Sequence, residues 1–363
     1  MKSDIRFFKN EIADLTMALQ KRNGNTFRIL AFTDLHLDDY AECGYYTWKA
    51  LEKTIQEEVP DLVLFLGDII TGGDNKNRLE EFCNGMDALG VLWCPILGNH
   101  EGDNSLSATR KQMVHRFAQS QNCLMEDDEK YLSTGEKVDG EGNYVIHLLN
   151  EKEQIMSTLV FLDCGDCMDQ EEKERLGFSS ESTVYDYIKP SQIKWYQEIL
   201  AKRDSKAPVI VLGHIPLVEY EEAYNNATEH DTCYEKGVTK ERDSKWLYGY
   251  RRERICSSAY NTGMFAAMRD SGVKNTYICG HDHINDFLVE YQGVQLMYNI
   301  MSGYSSYNVI SKKNRITVGK TDKLLQGCSL YTIGENGYFE VEAIYYEDRY
   351  PEMQEGIREV IRK

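Results

Sequence analysis

Proline is scarce in this sequence, at six residues in 363, and no Pro/Gly-rich tract, low-complexity run or internal repeat divides it. Lacking such a linker, the chain reads as one domain, long enough to bury a large core. Basic residues are also short: 41 Lys and Arg stand against 59 Asp and Glu, a formal charge of −18. A surface that acidic repels the backbone of DNA or RNA and the anionic face of a membrane, so neither is an expected partner. A small phosphate ester remains admissible where cations offset the local field, and those cations would have to be metal. No apolar stretch is long enough to span a bilayer, and the first residues lack the apolar run of a signal peptide. The ten cysteines are scattered, below the density of a disulfide scaffold, which suits reduced thiols and a cytoplasmic location. Cys164 and Cys167 form a lone CxxC that reads as a strand-end turn.

What recurs instead is a short apolar run closed by a polar cluster. The runs 27–32, 61–67, 91–98, 208–213 and 273–280 are rich in Val, Ile, Leu and aromatics, have strand length, and end in turn residues. Helical patterns over 45–58 and 77–89 separate the first three, which predicts βαβ units in a largely buried sheet. Beyond residue 285 the text alternates (FLVEYQGVQLMYNI, CSLYTIG, YFEVEAIYY), predicting antiparallel hairpins that close a second sheet. Ile5, Phe8, Ile12, Leu15 and Leu19 recur at helical spacing, so residues 1–26 are expected as a helical extension. The expected architecture is α/β, a four-layer α/β/β/α sandwich of two mixed sheets with flanking helices. Its domain covers 27–345, with an insertion at 219–256 and a tail or helix over 346–363.

Each run ends in a side chain able to bind metal: Asp34 and His36, then Asp68, Asn99 with His100, His214, and His281 with His283. Five of the eight histidines fall in this set. Singly, each has a commoner explanation, since Asp and Asn cap helices and turns, and a lone His packs. Jointly, five blocks in order at strand ends bring oxygen and imidazole donors to one sheet edge, where open α/β folds place ligands.

The string Asp34-x-His36, Gly67-Asp68, Gly98-Asn99-His100-Glu101, Gly213-His214, Gly280-His281-x-His283 resembles the calcineurin-like metallophosphoesterase superfamily. Further segments (LDCGD, YIKPSQIKWY, HIPLVEY, NTGMF, GHDHINDF) are similar to its purple-acid-phosphatase-related branch, and the resemblance spans most of 27–310. It departs from purple enzymes in two places. Thr71 stands where they carry a ligand Tyr, and His36 where they carry Gly, so no purple charge-transfer band is expected. The resemblance implies that Asp34, His36 and His283 bind one metal, that Asn99, His214 and His281 bind another, and that Asp68 bridges them. It further implies that a bridging hydroxide attacks phosphorus and that His100 serves the leaving oxygen. Mixed O/N ligation suits two Mn, Fe or Zn ions better than Ca. Glu101 and Asp282 are candidate acceptors that would orient imidazoles, while Asn285 and Asp286 match the family without a role. The insertion's Tyr220, Tyr224, Tyr234, Tyr248 and Tyr250 precede Arg251, Arg252 and Arg254, which read as a solvated surface insertion or, alternatively, a substrate wall. The expected activity is hydrolysis of phosphate monoesters by a monomer, with cyclic nucleotides or small diesters as the alternative and a non-catalytic scaffold disfavoured. A small phosphorylated substrate, or a phosphoprotein, would be the partner.

Overall fold

The computed structural model describes residues 5–12, 15–38, 41–73, 75–102, 108–203, 205–227, 244–307 and 324–362. Among them run strands β1 (Ile5–Ile12), β2 (Leu15–Lys21), β3 (Thr26–Phe32), β4 (Leu62–Leu66), β5 (Trp93–Ile96), β6 (Tyr144–Leu149) and β7 (Ile155–Phe161). There follow β8 (Val209–Leu212), β9 (Ser244–Tyr248), β10 (Asn275–Cys279), β11 (Leu288–Tyr291), β12 (Val294–Tyr298), β13 (Gly327–Gly334) and β14 (Phe339–Tyr345). They make a five-stranded sheet, β14-β13-β3-β4-β5, and a nine-stranded one, β1-β2-β6-β7-β8-β10-β12-β11-β9.

The apolar runs become strands because both of their faces are covered. All five residues of β4 are buried, so no period-2 signal survives in its sequence. On β8, Ile210 and Leu212 join the core between the two sheets, while Val209 and Val211 face Tyr196 and Tyr220 of the outer helices Pro190–Lys202 and Glu219–Ala227. Across the five-stranded sheet, helices Ala41–Glu58 and Lys76–Leu89 supply the other outer layer, with Phe82 edge-on to Phe65 and Trp93. The result is the expected four-layer sandwich.

Three expectations are corrected. Residues 5–12 and 15–21 pair as antiparallel strands, not a helix, and β2 extends the nine-stranded sheet by pairing parallel with β6. A register shift between Lys9 and Ile12, with Asn10 at φ 55°, breaks the alternation that would have identified β1. The strands after 285 do not close one sheet. β12 pairs parallel with β10, whereas β13 pairs antiparallel with β3, so each sheet receives one hairpin. Finally, the described parts of 219–256 are integral to the fold: Tyr220 and Tyr224 are fully buried, and β9 pairs with β11. Tyr234 lies outside the described residues. The chain closes with the helix Pro351–Arg362, whose Glu352 pairs with Lys53 of the helix Ala41–Glu58.

Candidate metal centre

The carboxyl ends of β3, β4, β5, β8 and β10 converge, and each delivers its strand-end residues to one buried place. The glycines before them are steric necessities. A Cβ on Gly98 would strike the Asp68 backbone and carboxylate, and one on Gly280 would strike Thr33. Asp34, His36, Asp68 and His281 all hold left-handed backbone, with φ of 51°, 44°, 50° and 75°. Such conformations cost a non-glycine residue energy and concentrate at functional sites.

Each of the two aspartates has one oxygen committed to the scaffold. Asp34 Oδ2 accepts from Thr33 Oγ1 at 2.8 Å and from the His281 amide at 3.1 Å, while its buried Oδ1 has no hydrogen bond. Asp68 Oδ1 accepts from the His100 amide at 2.8 Å, leaving Oδ2 3.2 Å from His214 Nε2 and 3.7 Å from His36 Nε2. The imidazoles follow the same plan. His214 Nδ1 donates to the Leu66 carbonyl at 2.7 Å, which leaves the Nε2 lone pair 3.1 Å from Asn99 Oδ1. His283 Nδ1 meets Ser306 Oγ at 3.0 Å, and its Nε2 faces His36 Nε2 at 3.1 Å. The His281 ring lies 5.2 Å from that of His214, and its buried Nε2 makes no hydrogen bond. Oxygen and imidazole nitrogen atoms thus converge at the centre, an arrangement that positive charge placed among them satisfies.

Two groups, Asp34-His36-His283 and Asp34-Asp68-His214, have ligand atoms within 4.8 Å of one another. Their electrostatics agree with a cation site. Burial works against ionisation of Asp34, yet the His283 and His214 rings hold its carboxyl down at about 2. Burial, opposed by Asp68, lowers His36 to about 4, and burial beside His214 lowers His281 to about 3, so both rings are neutral donors at neutral pH. Burial would also discharge His214, but Asp68 and Asp34 overcome it and push the ring up to about 10. The same two carboxylates draw positive charge to that side of the centre.

All the sequence-derived residues are therefore brought together, with the half-buried His100 ring 5.5 Å from that of His36. Other expectations change. Glu101 and Asp282, expected to orient imidazoles, are engaged by other groups. Fully buried Glu101 accepts from the amides of Asp68 (3.1 Å), Ile69 (2.5 Å), Ile70 (3.3 Å) and Gly98 (2.6 Å), tying two ligand loops together. Its burial, next to Asp68, raises its pKa to about 7. Asp282 instead takes the Tyr298 hydroxyl at 2.5 Å and the Cys256 amide at 3.0 Å. Arg251 lies over Tyr224 and pairs with Glu221, and Arg252 lies over Tyr250 and pairs with Asp286, so these two cations brace the fold. Asn285 and Asp286 anchor that same segment through the amides of Arg252 (2.8 Å) and Tyr250 (2.9 Å). Cys164 is buried and Cys167 exposed, both free thiols.

Several supporting residues escaped the sequence reading. Arg110 donates to the Gly98 carbonyl at 2.5 Å and pairs with Asp163, clamping the loop that carries Asn99 and His100. Tyr307 stacks on His283 with ring centroids 4.2 Å apart and donates to Glu253 at 2.9 Å. Only Asp163 had a signal, within the LDCGD segment. The others lie far along the chain from what they support.

Residues 27–285 match the model of the family described as calcineurin-like phosphoesterase. The chain is 27% identical over 340 residues to "Probable inactive purple acid phosphatase 14" of Arabidopsis thaliana, covering 83% of this chain and 77% of that protein. It is 29% identical over 331 residues to "Probable inactive purple acid phosphatase 29" of the same plant, covering 82% and 77%. Among solved structures, a dimetal phosphatase from Danio rerio aligns with a TM-score of 0.46 at 14% identity, over 89% of this chain and 99% of that one.

Proposed function

The chain belongs to the calcineurin-like phosphoesterase family, and from that premise we propose that it hydrolyses phosphate monoesters at a dinuclear metal centre. The observation that carries this reading is the convergence of hydrogen-bond-free or acceptor-facing atoms: Asp34 Oδ1, Asp68 Oδ2, and Nε2 of His36, His214, His281 and His283. In this reading Asp34, His36 and His283 would hold one metal, Asn99, His214 and His281 would hold the other, and Asp68 would serve both. Mn, Fe or Zn ions so held would lower the pKa of water toward neutrality and offset the phosphate's charge.

The chain's own residues supply the rest. Glu101, through four amides, fixes the loops that carry Asp68 and Asn99. His100 is the group placed to give a proton to the departing oxygen. It sits beside His36, its amide is pinned by Asp68, and it remains partly open to solvent. The two plant relatives carry "inactive" in their names. What supports activity here is that the donor set is complete and His100 is kept. A small ester fits the acidic surface better than a nucleic acid does.

The test is turnover of an aryl monoester and its matching diester by metal-stripped protein after addition of Mn²⁺, Fe²⁺, Zn²⁺ or Mg²⁺. Metal-dependent turnover that falls roughly 10²–10⁴-fold in His100→Ala, with metal content unchanged, is expected for loss of a general acid. Binding of two metals with no turnover of either ester would leave a binding protein in its place. Faster cleavage of the diester would replace the monoester reading.

A further inference from the structure

Away from the metal centre, a buried arginine stands at the end of the outer helix Pro190–Lys202. Arg203 is only 4% exposed. Its Nη1 donates to the Thr158 hydroxyl at 2.9 Å and its Nη2 to the Ala207 carbonyl, while the buried Nε has no hydrogen bond. No carboxylate among the described residues forms an ion pair with it. Burial lowers its pKa to about 10, opposed only by the Tyr196 phenol. A cation buried without an anion is costly, and a bound anion would remove that cost. The place is distinct from the metal centre. Thr158 pairs with Val209 at the start of β8, whereas His214 follows the other end of that strand.

We propose that Arg203 marks a binding site for a small organic anion, whose carboxylate or phosphonate-like group lies beside the guanidinium and whose carbon body lies against Trp195 and Ile199. Arg203, Trp195 and Ile199 border one cavity of about 170 Å³, far above the ~10–15 Å³ that a single water needs. Charge favours an anion there. Lys130, Lys202 and Glu126 also line the cavity, and Glu126 is shared between Lys130 at 2.6 Å and Lys9 at 3.3 Å. Lys202 reaches Glu198 at 3.7 Å. Arg203 and these three lysines thus have two carboxylates between them, a local positive surplus in a chain of charge −18. His147, on the same wall, adds a donor. Thr158 Oγ1 already accepts from Arg203 and lies 3.0 Å from His147 Nδ1, so its own proton is satisfied by that nitrogen. The ring, which burial lowers to about 4, is neutral and then keeps its hydrogen on Nε2.

The experiment titrates the metal-loaded full chain with benzoate and with phenylphosphonate, two probes that share a ring and differ in the anionic group. Affinity is read by calorimetry, and tryptophan emission is read in parallel, with Trp195→Phe as the control that removes the local signal. Arg203→Gln should weaken binding about 10- to 100-fold, the usual worth of a hydrogen bond to a charged group. Because that side chain is buried, Lys202→Ala serves as the variant least able to disturb folding, its side chain being 65% exposed. It should weaken binding by about 2- to 5-fold, as loss of an exposed charge does. The probe that loses affinity in these variants names the anionic group. A phenylphosphonate molecule held at the metal centre would bind equally in wild type and both variants and leave the Trp195 signal unmoved. That result for both probes, or a wild type that binds neither, overturns the site. If Arg203→Gln does not fold, an unchanged affinity in Lys202→Ala with no Trp195 response overturns it.

Discussion

Glu101 shows how a side chain can control a centre it never touches. Both of its oxygens accept backbone amides, two of them in the Asp68 loop beyond Asp68 itself and one at Gly98 before Asn99. A glutamine fills the same space but turns an NH₂ against amide donors, leaving buried N–H groups unsatisfied at ~1–3 kcal/mol each. Glu101→Gln should therefore weaken metal binding about 10- to 100-fold, the usual effect of disturbing the support of metal ligands. A metal titration by calorimetry that showed wild-type affinity would remove Glu101 from this role. Thr71 matters for the opposite reason. It is buried beside the Asp68 loop without a phenol, so iron-loaded protein should lack an intense visible absorption band. The candidate ligand residues were legible in the sequence because each lies at the end of a local, recognisable strand. Ser306, Tyr307 and Arg110 were not, because nothing near them in the chain marks which ligand they would reach.

At the scale of elements, the N-terminal hairpin is the instructive case. Met17, Ala18 and Leu19 are all buried, so β2 is covered on both faces and carries no polar stripe. Together with the bulge in β1, that erased the alternation from which a strand is normally recognised, and the remaining apolar spacing imitated a helix. The hairpin contributes to the main core through Ile5, Met17 and Leu19. Leu19→Ala should accordingly cost about 2–5 kcal/mol of unfolding free energy by chemical denaturation. Metal stoichiometry should be unchanged, since the hairpin lies at the sheet edge away from the centre. A loss below about 0.5 kcal/mol, the level of a surface substitution, would mean that the hairpin is dispensable packing.

For the whole molecule, the excess of 59 acidic over 41 basic residues opposes the approach of any anionic ester. That repulsion is long-ranged and screened by salt, with a Debye length of about 10 Å at 0.1 M. Raising a non-coordinating salt from about 0.02 to 0.2 M should increase kcat/KM for a phosphate monoester, mainly through KM. A steady decrease would instead reveal a local positive field that dominates at the centre. No helix among the described residues is long and apolar enough to cross a membrane.

The sequence by itself determined the class of the fold, the strand ends that bear donors, and the donor identities, because each is encoded within a few residues. The glycine before each of Asp68, Asn99, His214 and His281 belongs to that local code. Only the tertiary structure decided which sheet each strand joins, that β1 and β2 extend a sheet, and that Arg251 and Arg252 brace the fold. It alone brought Tyr45 and Trp48 to one cavity with Phe82 and Gly85. Those outcomes depend on pairings between residues distant in the chain, whose free energies come from mutual burial and register and are written in no single segment.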